Sequence, residues 1–88
     1  MDERDLLLDG NAAGGLLGEI FAIEMTAAEA RCAACGALGR VGELRVYAGG
    51  PGLVARCPVC DAAVMRIVRT EGRAWLDLRG LRFLELHL

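Results

Sequence analysis

The chain has no lysine, a single histidine, few aromatic residues and no long apolar run. Each absence closes off a class of function. The one histidine, His87, is the penultimate residue, and a terminal side chain reads first as solvated, with a fifth metal ligand or a proton carrier as alternatives. No Ser-His-Asp or Cys-His set can be assembled around it once the cysteines are assigned elsewhere, so no catalytic residue is named and the chain reads as non-enzymatic. Aromatics make up 5% of the chain, which leaves little surface on which nucleic-acid bases can stack. No apolar stretch approaches the roughly 20 residues that span a bilayer; the longest near-apolar segment, Ala12 to Ile23, contains Glu19 and three glycines. The first residues, Met1-Asp2-Glu3-Arg4-Asp5, lack the basic region of a secretory signal. The expected location is the cytoplasm, without a membrane partner, where thiols are kept reduced.

What is present is 88 residues, 55% of them hydrophobic. That length allows one domain, and that composition excludes wholesale disorder. A domain of this size buries a small core and commonly needs a staple. The formal charge of −2 hides an asymmetry: residues 1–29 carry seven acids and one Arg, whereas residues 30–88 carry nine Arg and five acids. Arg pairs bidentately with phosphate or carboxylate, but a chain also rich in Ala, Gly and Leu favours composition over recognition as the reason for its arginines.

The staple is visible. Cys32-Ala33-Ala34-Cys35 and Cys57-Pro58-Val59-Cys60 are two CxxC pairs separated by 21 residues, and they use every cysteine. Two thiolates on each of two tight turns complete a tetrahedron suited to zinc at about 2.3 Å. Gly36 follows the first pair and can take a positive φ. Asp61 follows the second and tolerates that conformation better than most residues. Pro58 fixes φ inside its turn. The separation suits one β-hairpin between the turns. Four protein ligands leave no open position, so the expected site holds one Zn²⁺ per chain and is structural. An iron site built on the same thiolates is the principal alternative. A redox dithiol lacks its βαβ setting, and a disulfide framework lacks its compartment.

Around these turns the pattern predicts a helix over 11–23, with Asp9 or Asn11 as N-cap and Ala13, Leu16, Leu17, Ile20 and Phe21 on one face. Gly14, Gly15 and Gly18 weaken it and leave room for a close backbone approach. From residue 29 the chain reads as short strands. A hairpin of 43–47 and 53–56 turns at Gly49-Gly50-Pro51-Gly52. Strands follow at 63–70 and 73–78, with a turn at Glu71-Gly72, and another at 81–86. The expected fold is small α+β: an N-terminal helix (segment 1–28) packed on an antiparallel zinc-ribbon β-sheet (29–88), in a single domain.

The turns carry a resemblance. Knuckles on hairpins that close a small antiparallel sheet resemble zinc ribbons. Cys-x-x-Cys-Gly with Cys-Pro-x-Cys is also similar to rubredoxin's ligand turns, although rubredoxins pack a larger aromatic cluster. More narrowly, Leu8-Asp9-Gly10-Asn11-Ala12, Arg31-Cys32-Ala33-Ala34-Cys35-Gly36, Arg56-Cys57-Pro58-Val59-Cys60 and Trp75-Leu76-Asp77-Leu78-Arg79-Gly80 resemble a family of short bacterial proteins of unknown function. That resemblance implies a ribbon and no activity.

Trp75 alternates with Leu76 and Leu78, on the side of Arg73 and Asp77. It reads either as an exposed aromatic beside Arg, as in an interaction hot spot, or as a ring packed beneath the helix; the need of a small core for its largest ring favours the second. Tyr47 and Phe83 read as core or rim residues. Arg66, Arg69, Arg73, Arg79 and Arg82 are candidates for a shared basic face. The expected function is protein–protein interaction or self-association through a surface that includes Trp75, Arg66 and Arg73. Nucleic-acid binding and rubredoxin-like electron transfer are the alternatives.

Overall fold

The structure is a computed structural model that describes residues 7–8, 10–21, 24–49 and 52–87. The helix α1 runs Gly10–Phe21, between strand β1 (Leu7–Leu8) and strand β2 (Glu29–Cys32). Then come β3 (Leu38–Arg40), a 3-10 turn at Val41–Glu43, β4 (Arg45–Gly49), β5 (Gly52–Arg56), β6 (Ala63–Thr70), β7 (Arg73–Asp77) and β8 (Leu81–Glu85). This is a small α+β arrangement of one helix with antiparallel strands. No helix among the described residues is long and apolar enough to cross a membrane.

The strands form two sheets where the sequence suggests one. Five strands lie in the order β1-β4-β5-β6-β7, and three in the order β3-β2-β8. The extra sheet arises because β8 returns to pair with β2, and β3 folds back on the other side of β2. The hairpin β4–β5 closes Gly49 against Gly52; Gly50 and Pro51 of its turn, like the Asp9 N-cap candidate, lie outside the described residues. Asn11 falls inside the helix. Thr26-Ala27 forms a turn, with the Thr26 amide donating to Glu24 Oε1 at 2.6 Å. The turn Glu71-Gly72 joins β6 to β7, and β7 stops at Asp77 because the Arg79 amide and guanidinium both bind the Asp77 carboxylate.

Register fixes which side chains are inward. Val46 pairs with Ala55, Leu53 with Ile67, and Ala55 with Met65, and all are buried. Opposed residues share a face and neighbours alternate, so these define the inner face. The helix lies on it through Ala13 and Leu17, both without solvent exposure. Phe21, expected on the same stripe, is 38% exposed at the helix end.

Gly14 tests the expectation of close approach. A Cβ there would sit 2.3 Å from Thr26 Cγ2, whereas one on Gly15 would meet nothing within 4 Å. The two glycines therefore respond oppositely to the same change. Gly15→Ala should stabilise by up to about 1 kcal/mol through helix propensity. Gly14→Ala should destabilise by about 1–3 kcal/mol through overpacking. Urea unfolding of both variants checks this, and shifts of the same sign would contradict it.

Candidate metal centre

Each cysteine pair sits in a tight turn of a hairpin. The first joins β2 to β3 and the second joins β5 to β6, so each sheet contributes one knuckle. The two turns repeat one hydrogen-bond scheme. Cys32 N–H donates to Ala37 O and Cys57 N–H to Ala62 O, both at 2.9 Å. Gly36 N–H donates to Cys32 O and Asp61 N–H to Cys57 O, again at 2.9 Å. The residue past each second cysteine is left-handed, with φ of 79° at Gly36 and 64° at Asp61. This is the conformation expected of glycine and tolerated by aspartate.

The scheme brings the four sulfurs together. All four Sγ atoms lie within 4.8 Å of one another. Cys32 Sγ to Cys60 Sγ and Cys35 Sγ to Cys57 Sγ are each 3.7 Å. A tetrahedron with about 2.3 Å metal–sulfur bonds has edges of about 3.8 Å, so the donor set fits a tetrathiolate ion. The cysteines are free thiols, not disulfides. Cys32 and Cys57 belong to the hydrophobic core, while Cys35 and Cys60 face solvent.

Backbone amides prepare the sulfurs for charge. Val59 N–H points at Cys57 Sγ at 3.4 Å. Amides of Cys35 and then Ala34 draw the Cys32 thiol down to about 7, against desolvation. The Ala62 amide acts similarly on Cys60, but desolvation and the neighbouring Cys35, Cys32 and Cys57 outweigh it and push that thiol up to about 11. A negative charge on Cys32 thus disfavours one on Cys60, 3.7 Å away, a conflict that a bound cation would relieve.

Two arginines latch the knuckles, and sequence reasoning did not assign them this role. Arg31 Nη1 donates to Gly36 O at 2.6 Å, and Arg56 Nη1 donates to Asp61 O at 2.9 Å. Each spans five residues from the position before the first cysteine. Each guanidinium also lies over an aromatic ring, Arg31 over Phe83 at 5.6 Å and Arg56 over Tyr47 at 5.9 Å. The signal was the repeated Arg-Cys-x-x-Cys. The first knuckle is further held by Ala33 N–H donating to Gly80 O at 2.9 Å.

Other expected site residues lie elsewhere. His87 is exposed and is not brought to the sulfurs. Trp75 is 51% exposed, which corrects the reading of a ring beneath the helix. It pairs with Val68, and Arg66 pairs with Asp77, so all four share the outer face, away from α1. Arg73 joins them opposite Thr70. The expected five-arginine face divides. Arg69 points to the helix side and pairs with Glu19. Arg79 binds Asp77 through Nη2–Oδ2 at 2.6 Å, which lowers the Asp77 carboxyl to about 2. Arg82 lies on β8 in the other sheet. Arg45 and Arg56 join Arg66 and Arg73 on the outer face instead.

The chain belongs to the family described as a family of unknown function (DUF6510). Its model matches residues 2–88. No curated protein and no solved structure matches the chain.

For this DUF6510 member, removing a latch should loosen the cage. Arg31→Ala or Arg56→Ala should weaken metal binding about tenfold, as lost outer hydrogen bonds do; competition with a chromophoric chelator measures it, and unchanged affinity would remove the latch role. Metal binding must also expel thiol protons. Affinity should therefore fall on acidification, and more steeply below about pH 7, where Cys32 also holds its proton in the metal-free chain.

Proposed function

We propose that the chain is a non-enzymatic zinc-ribbon module, with one Zn²⁺ held by Cys32, Cys35, Cys57 and Cys60, that presents a fixed β-surface to a protein partner. The observation that carries the metal reading is the set of four sulfurs within 4.8 Å, with edges of 3.7 Å across the two knuckles. A closed tetrathiolate offers no position for substrate or water, which supports a structural role. The same thiolates accept iron, so zinc rests on the preference of closed Cys₄ sites in ribbons rather than on geometry alone.

The surface reading rests on Trp75, half exposed on the outer face between Arg73 and Asp77. An exposed ring flanked by Arg is the composition of an interaction hot spot. A second reading has one specific observation behind it. Among the described residues the ion pairs are Arg69–Glu19 and Arg79–Asp77; Arg66 sits across from Asp77 and shares its charge, and Arg45 and Arg73 make no ion pair there. A basic outer face with one stacking ring supports weak nucleic-acid binding, whose affinity would fall steeply with salt.

Elemental analysis of the protein purified with both metals available should give one zinc per chain and a colourless solution. A well-folded protein without metal, or a red iron-containing one, would overturn the zinc reading. Cys35→Ser should lose the metal and the cooperative fold, since binding free energy is folding free energy in such sites.

A further inference from the structure

We infer that β7 is a self-recognition edge, at which two copies of the chain pair antiparallel about a two-fold axis through Trp75. This rests on the protein-interaction reading above and names its partner. β7 is the outermost strand of the five-stranded sheet, regular from Arg73 to Asp77. It carries none of the usual edge guards of proline, lysine or bulge. The tight turn at Glu71-Gly72 directs the Arg73 amide toward β6, so Trp75 and Asp77 also bond inward. The N–H and C=O of Ala74 and Leu76 therefore face outward along the edge.

One register satisfies every side chain. Centred on Trp75, an antiparallel pair sets Arg73 opposite Asp77 of the second copy, and Asp77 opposite its Arg73. Ala74 meets Leu76 of the second copy on the inner face, continuing the apolar layer to which Leu76 already belongs. The two Trp75 rings oppose each other at a non-hydrogen-bonded site, where facing side chains approach most closely. The exposed Ala74 and the half-exposed Trp75 both lose water. A shift by one residue would put the apolar and charged sets on opposite faces. The comparison with β8, also an edge, sharpens the assignment. Centred on Phe83, its self-pairing would set Arg82 against Leu84 and Leu81 against Glu85, with no complementarity.

Light scattering and sedimentation on the metal-loaded full chain test this. The expected mass is twice that of the chain. Ala74→Pro removes an outward amide without touching the β6–β7 ladder, and should give a monomer with its metal retained. Arg73→Asp and Asp77→Arg should each weaken the dimer about tenfold, since each places like charges opposite one another twice. The double variant should restore it. If Ala74→Pro does not fold, the charge exchange decides alone. A wild-type monomer at the highest soluble concentration overturns the inference, as does a dimer indifferent to all these variants. A monomer that keeps one metal ion, and binds an oligonucleotide or a foreign strand at this edge, overturns self-pairing and leaves the metal module standing. A metal-free dimer does the reverse.

Discussion

Four cysteine sulfurs converge between two sheets, and the rest of the structure is arranged around them. The three-stranded sheet has little buried surface of its own to hold it. Of its strands, only Ala30 and Cys32 of β2 are fully buried, while β3 and β8 are exposed or half-buried throughout. Burial of Ala30 and Cys32, with Leu81 and Leu84 half-buried against the core, contributes little against the entropy of ordering twelve residues in three strands. The five-stranded sheet, in contrast, has Val46, Leu53, Ala55, Met65 and Ile67 under a helix. A metal ion held by one knuckle from each sheet would couple the weaker unit to the stronger one.

The two knuckles achieve this with one repeated device. Each closes with the same amide pattern, the same left-handed residue and the same arginine five positions before the carbonyl it binds. The arginines act at a distance from the sulfurs. They fix the turn carbonyls and then rest on Phe83 and Tyr47. Tyr47 stands on the outer face with Val54 and Arg66, so the second knuckle is mechanically continuous with the surface assigned to recognition. Under the proposed function a metal ion there has no chemistry to perform and keeps that surface in register.

Local chemistry was legible in the sequence because it depends on neighbours in the chain. The cysteine knuckles, the left-handed positions at Gly36 and Asp61, the β4–β5 hairpin and the strands from residue 63 all follow from short-range spacing and turn propensity. The split into two sheets was not legible. It depends on β8 returning to β2 across about fifty residues, and on a three-residue β3 with no alternation of its own. Trp75 shows two signals in conflict. Its parity with Arg73 and Asp77 placed it outside, whereas its size argued for the core. Parity prevailed because Leu, Met, Ile and Val already fill the space beneath the helix, leaving no room that a ring was needed to occupy.

If a tetrathiolate ion ties the two sheets together, residue-resolved amide hydrogen exchange with and without a chelator will show it. Chelation should remove protection from both knuckles and from β2, β3 and β8, while the β5–β6 ladder beneath α1 retains more of its protection. Unchanged protection of the three-stranded sheet after complete metal removal would contradict it.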